Sequence, residues 1–242
     1  MSDKGPATTR RRMLVGAASF ADARSALDLA KVIARDHALD LYGLLMNEAA
    51  AAAQSDTFPA ALITMTGHVL ATPGSDELHR LFRAEERAFR RALSHMAEER
   101  GTAWSFESRA GELTVEASSA SQNWDFQVIG HYAARRNPGR IVLLRTSRPG
   151  HQEGETIATT IRAAIGGSLE IVDLPSGWSR REETAAEPAP MARLGGGDIG
   201  LVIIDLSGAA PPNAVRLRRL LEKARYPLVI IGPRDGTESR SS

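Results

Sequence analysis

Apolar and polar positions along the chain alternate between two regimes. Met13-Leu14-Val15-Gly16-Ala17 is a short continuous apolar run, the pattern of a strand buried on both faces. From Asp22 to Asp36 the residues Ala23, Ala26, Leu27, Ala30, Ile33 and Ala34 recur at helical spacing. Leu41 to Met46 returns to a strand. Residues 47–74 give conflicting signals. The alanines Ala49 to Ala53 favour helix, Phe58-Pro59 breaks it, and Ala60 to Leu70 fits helix or strand; packing filler is the preferred reading over a lid or a partner surface. Ser75 then caps a helix reaching Glu99, with Leu78, Leu81, Phe82, Phe89, Ala92, Leu93 and Met96 as its buried stripe. Its solvent side carries Asp76–Arg80 and Glu86–Arg90 at i,i+4. Gly101 ends it, Trp104 to Glu107 alternates as a strand, Gly111-Glu112 opens a short helix to Ser121, and Phe126 to Gly130 is the next strand.

A second round begins at Arg140. Ile141 to Leu144 reads as a strand, and a helix carrying Ile157, Ile161, Ala164 and Ile165 follows. Gly166-Gly167 turns it into the strand Leu169 to Val172. Ser176 to Gly197, rich in Pro, Glu, Gly and Ala, is expected to be a flexible loop. Ile199 to Leu206 is a strongly apolar strand, Asn213 caps a helix with Leu217, Leu220, Leu221 and Ala224, and Tyr226 to Ile231 is the last strand.

Alternating strands and helices predict an α/β fold, a parallel sheet with helices on both faces. Met13 to Met46 and Ile141 to Val172 have the same strand, helix, strand order, which predicts two doubly wound lobes. The second lacks the long helix and the Trp104 strand. The first has lost its final helix and strand, because Gly130 to Arg140 is shorter than the roughly 10–12 residues a crossover helix requires. The predicted division is a flexible N-terminus over 1–12, a first domain over 13–139, a shortened second domain over 140–233 and a flexible tail over 234–242.

Composition narrows the function classes. The 242 residues are 43% hydrophobic and 24% charged, an ordinary globular balance. Thirty basic residues against 29 acidic ones give a net charge of +1, with no general attraction for polyanions, so nucleic acid is not the expected partner. The absence of cysteine excludes disulfides, thiolate nucleophiles and Cys-ligated metals, and fits a cytoplasmic location. Thr9 to Leu14 loosely matches a twin-arginine export signal, but the apolar stretch Met13 to Phe20 reads better as a strand entering a helix. No run approaches the ~18 apolar residues of a membrane span, so no membrane partner is expected.

In element order, and in three local features, the chain resembles the universal stress protein family, whose fold is of the adenine nucleotide alpha hydrolase-like kind. These features are the strand–helix opening Met13 to Arg35 with Ser19 just past the strand, the junction Arg109-Ala110-Gly111-Glu112 before the short helix, and the apolar strand ending at Gly130. The resemblance implies a role in stress adaptation. It also implies, for members that bind ATP, an Asp at the end of the first strand and a Gly-x2-Gly-x9-Gly-(Ser/Thr) motif after the fourth. Here Ala17 or Ala18 stands at the first place in one half and Arg145-Thr146-Ser147 in the other. Gly130 is followed by His131-Tyr132-Ala133, the second half has Asp205-Leu206-Ser207-Gly208, and neither completes the motif. The ATP motif is therefore degenerate. No cofactor is expected, ATP or another adenine nucleotide being the alternative.

A degenerate crevice beyond the strand ends would gather Ser19, Met46, Gly111, Gly130, His131, Arg135 and Arg136, the arginines offering pairing to a small anion. The plainer reading, a solvated loop over His131 to Arg136, is preferred. The six histidines lack metal-ligand spacing, and no Gly-x-Ser-x-Gly elbow occurs. Asp173 and Asp205 at strand ends read as loop caps, and Trp104 and Trp124 as packing anchors. These residues favour a regulatory or ligand-binding protein over an enzyme; a nucleotide-binding or nucleotide-hydrolysing enzyme of the same fold is the alternative. Self-association as a homodimer is expected through the final strand, Tyr226 to Ile231.

Overall fold

The computed structural model describes residues 10–48, 62–63, 69–70, 75–120, 123–131, 139–146, 152–174, 194, 198–207, 218 and 226–232. In chain order the elements are β1 (Arg11–Ala17), α1 (Phe20–Ile33), β2 (Leu39–Asn47), β3 (Leu62–Ile63), β4 (Val69–Leu70), α2 (Ser75–Arg100), β5 (Trp104–Ala110), α3 (Leu113–Ala120), β6 (Phe126–Ile129), β7 (Arg140–Thr146), α4 (Glu153–Ile165), β8 (Ser168–Leu174), β9 (Ile199–Asp205) and β10 (Leu228–Ile231). Eight strands form one sheet in the order β5-β2-β1-β6-β10-β9-β7-β8. β5, β2, β1 and β6 run parallel to one another, as do β10, β9, β7 and β8. The two blocks meet at β6 and β10, which pair antiparallel with Val128 opposite Val229.

The apolar runs become central strands because both faces of the sheet are covered. Side chains alternate across it, so Met13, Val15, Phe126, Val128, Ile141, Leu143, Leu201, Ile203, Val229 and Ile231 lie in one core with α1, α2 and α4. Leu14, Leu44, Ile129, Val142, Leu144, Val202, Ile204, Leu228 and Ile230 lie in the other, with Leu113 and Ala117 of α3. Helices therefore cover both faces, as the sequence pattern predicts.

Ser19 starts α1 from an extended conformation, its hydroxyl accepting the Asp22 N–H at 3.1 Å. α2 seats Phe89, Leu93 and Met96, at i, i+4 and i+7, and Phe89 meets Phe106 edge-on with centroids 5.3 Å apart. Gly43 makes room for this helix, since a Cβ there would stand 2.7 Å from Leu93 Cδ2.

Several expectations are corrected. The final strand is no edge: β10 sits mid-sheet with β6 and β9 on either side, so it is not available for pairing with another chain. Trp104 is not a packing anchor but 39% exposed on the edge strand β5, whereas Trp124 does pack, stacked on Tyr42 at 5.1 Å. Leu81 leaves the predicted stripe and is 56% exposed, because the seated part of α2 begins later, at Phe82 and Phe89. Arg80 donates to the Asp76 carbonyl rather than pairing with its carboxylate, while Glu86–Arg90 forms at 3.9 Å. The ambiguous stretch Ala60 to Leu70 supplies two short antiparallel strands, β3 and β4. The loop expected over 176–197 and the helix expected from Asn213 fall outside the described residues, apart from Leu194, in a single 3₁₀ position, and Arg218, which is helical.

The two α2 leucines give a direct check. Leu93→Ala should cost about 2–5 kcal/mol in a urea melt, as expected for a fully buried leucine, and Leu81→Ala less than about 0.5 kcal/mol, as for an exposed site.

Candidate functional site

In an open α/β sheet the ligand crevice lies beyond the C-terminal ends of the strands, where neighbouring connections diverge. Because the two blocks join antiparallel, this sheet has two such places, at opposite ends. Gly232, just after β10, donates to the carbonyl of Asp125, just before β6, at 2.8 Å.

In the first block the place lies between β1 and β6. Gly130 donates to the Gly16 carbonyl at 2.8 Å, one residue beyond the Gly16–Ile129 pair, which sets it beside Ala17. α1 rests directly on Gly130. A Cβ there would lie 2.0 Å from the Asp22 carbonyl oxygen, so glycine is required by the close approach of the helix backbone. The Ser19 hydroxyl donates to the Asp22 carboxylate at 2.6 Å while accepting the Asp22 N–H. At the ends of β2 and β5, Met46 is fully buried and lies against Gly111, whose φ of +151° suits glycine. Glu48 accepts the Leu113 N–H at 3.2 Å and so caps α3. The N-termini of α1 and α3 thus hold carboxylates of the chain itself, where the helix dipole would otherwise draw an external anion.

The structure therefore brings Ser19's turn to Gly130, and Met46 to Gly111, as two separate packing contacts. His131 is half-buried just past Gly130. Arg135 and Arg136 lie outside the described residues.

In the second block the corresponding pair is Arg145 and Asp205, opposite each other in the β7·β9 register. Asp205 is 4% exposed. One of its oxygens accepts the Gly154 N–H at the start of α4 at 3.1 Å, and the other accepts the N–H and hydroxyl of Ser207 at 2.9 and 2.5 Å. A Cβ on Gly154 would lie 2.4 Å from the carboxylate, so the helix terminus and the acid fit without a gap. Arg145 is held by Asp173 at 2.7 Å and by Glu155. The expected loop caps, Asp205 and Asp173, thus serve as a helix cap and an ion-pair partner at a place lined with acids.

Sequence reasoning missed a polar cluster on the α3 face of the first block. Tyr42 donates to Glu107, Arg109 reaches Glu107 at 2.9 Å and Glu116 at 3.6 Å, and the Arg12 guanidinium lies 5.6 Å from the Trp124 ring on which Tyr42 stacks. Burial, then the hydrogen bond to Glu107 and its charge, push the Tyr42 phenol up to about 12. The Arg109 and Tyr42 hydrogen bonds hold Glu107 below its ordinary value. The alternation of β5 was the available signal, since it puts Glu107 and Arg109 on one face. Tyr42 gave none, because its partner is 65 residues away.

Two concavities lie elsewhere. One, of about 290 Å³, sits at the starts of the first block's strands among Arg10, His37, Arg100 and Thr102; there Arg100 donates to the carbonyls of Ala34 and Lys31 at the end of α1. The other, of about 500 Å³, runs between α1 and α2 past Phe20, Ala92 and Met96. Neither includes a predicted site residue. Among the described residues no cluster of three or more His, Asp or Glu could hold a metal, and no helix is long and apolar enough to cross a membrane.

Two outcomes follow. Asp205→Ala, by removing a buried carboxylate from three donors, should cost about 1–3 kcal/mol of unfolding free energy in urea. Tyr42 contributes stability that is fully present below its unfolded value of about 10 and is lost as pH rises through about 12, so Tyr42→Phe should flatten the fall of the urea midpoint across that window.

No family model matches the chain, and no curated protein does either. Solved structures that it is similar to include the cytoplasmic domain of a prokaryotic cation chloride cotransporter, at 13% identity and TM-score 0.42 over 93% of this chain and 96% of that one. A candidate universal stress protein from Pseudomonas aeruginosa UCBPP-PA14 is similar at 13% identity and TM-score 0.41, covering 94% and 95%. A universal stress protein from Archaeoglobus fulgidus DSM 4304 is similar at 10% identity and TM-score 0.37, covering 93% and 97%.

Proposed function

We propose that the chain is a divergent tandem universal stress-like protein, cytoplasmic, with a regulatory or ligand-binding role in stress adaptation and no catalytic one. Support for the family reading comes from element order. The first block runs strand, helix, strand, helix, strand, short helix, strand through β1, α1, β2, α2, β5, α3 and β6, the family's order without its last helix and strand. The second repeats the opening in β7, α4 and β8 and then goes to β9 and β10. The antiparallel seam gives each block its own crevice, as two lobes of a tandem protein would have.

One observation carries the non-catalytic reading: at both crevices the position beside the end of the first strand is filled by the chain itself. In the first lobe Gly130 lies under the α1 backbone and Ala17 offers no side-chain acceptor for a nucleobase. In the second the Asp205 carboxylate occupies the α4 N-terminus, with Asp173 and Glu155 beside it. Anionic phosphates at that place would meet like charge and a helix end already satisfied. A small anion at His131, Arg135 and Arg136 remains the candidate ligand in the first lobe.

Thermal unfolding with Mg-ATP, Mg-AMP and inorganic phosphate separates the readings. The proposal expects no nucleotide to move Tm by more than about a degree, no ATP turnover, and a phosphate effect, where present, lost in Arg135→Ala and Arg136→Ala. Stabilisation by several degrees at saturating ATP, or measurable hydrolysis, would favour a nucleotide-handling enzyme instead.

A further inference from the structure

The two blocks differ in what covers their outer strands. In the first, α2 lies over α1 and the outer strands, and Val32 and Ile33 at the end of α1 are buried. The second block has no such helix among the described residues. The last turn of α4, Arg162 to Ile165, is exposed; Ile165 is 39% and Ile171 of β8 41% exposed. Among the described residues β8 pairs only with β7 and stands at an edge of the eight-stranded sheet.

A free edge is ordinarily protected by unpaired charge, proline or a bulge. Ser168–Leu174 has no proline, and its ladder with β7 runs without a register shift. Its two charges are neutralised from within, Glu170 by Arg140 and Asp173 by Arg145. An edge left neutral, regular and flanked by isoleucines invites a further strand.

We infer that β8 is the self-association seam of this protein, pairing antiparallel with β8 of a second copy about a two-fold axis through Ile171. Full overlap in that register places Ser168 opposite Leu174, Leu169 opposite Asp173, Glu170 opposite Val172, and Ile171 opposite itself. No acid faces an acid, and the two exposed isoleucines meet on the α4 side, where they bury each other. The opposite edge is less suited: full overlap of β5 with its own copy sets Glu107 against Glu107. The β6·β10 seam shows that this sheet accommodates an antiparallel junction between parallel blocks. The inference stands apart from the proposed stress-related role and replaces β10 as the surface of self-association.

The cysteine-free chain allows a clean test. Residues opposite each other in an antiparallel pair have Cα atoms roughly 4.5–5.5 Å apart, within disulfide range. Ile171→Cys should therefore give a covalent dimer under mild oxidation, and Trp104→Cys on the other edge should stay monomeric on denaturing gels. By light scattering at tens of micromolar the native chain should be a dimer, and Ile171→Lys a monomer with unchanged circular dichroism. A monomeric native chain, a dimer that survives Ile171→Lys, or cross-linking equally efficient at Trp104→Cys would overturn the inference. If Ile171→Lys fails to fold, the two cysteine variants decide.

Discussion

The fold depends on one pairing, the antiparallel ladder between β6 and β10. Every other contact between neighbouring strands of the large sheet is parallel and joins strands of the same block. Without this ladder the chain would present two four-stranded sheets, each with an apolar edge of Val and Ile or Phe. With it, Val128 and Val229, Phe126 and Ile231 are buried in one core, and Ile129 and Leu228 in the other. Side-chain contacts reinforce the seam at one end. Arg11 stacks on Phe126 at 4.0 Å, pairs with Asp125 at 3.6 Å, and reaches Glu153 at the start of α4, while α1 packs on α4 along the same face. Hydrophobic burial is the main driving force, and these part-buried charges fix which ends meet.

From this constraint follows the placement of chemistry. Antiparallel joining sends the strand ends of the two blocks to opposite ends of the sheet, so their crevices cannot pool residues. Each must be complete alone, and among the described residues each is filled in part by the chain itself. In the first a glycine admits helix backbone beside the end of β1. In the second a carboxylate caps the helix that would hold an anion. The same closeness appears from both sides: Gly130 is the small residue on the strand in one block, and Gly154 the small residue on the helix in the other.

Much of the fold was legible because strands buried on both faces and amphipathic helices leave local patterns. Met13 to Ala17, Ile199 to Leu206 and the Phe89, Leu93, Met96 spacing need no knowledge of partners. What was not legible is non-local. The apolar run at Tyr226 to Ile231 reads the same whether it lies at an edge or in the middle, and only its pairing with β6, about a hundred residues earlier, decides. Leu81 and Trp104 obey the expected spacing but lie where no described element covers them. At the candidate site, Gly130 was legible as a special position, and the structure supplies its reason in the approach of α1. Asp205 was legible as a cap, but its partner, Gly154, is 51 residues away and carries no signal of its own.

The whole arrangement therefore rests on β10 being a central strand. Residue-resolved amide hydrogen exchange tests this most directly. Amides of Leu228 to Ile231 and of Phe126 to Ile129 should be among the slowest in the protein, opening only with global unfolding, because strands paired on both sides belong to the most stable unit. Exchange of the β10 amides as fast as that of the edge strands β5 and β8 would contradict it.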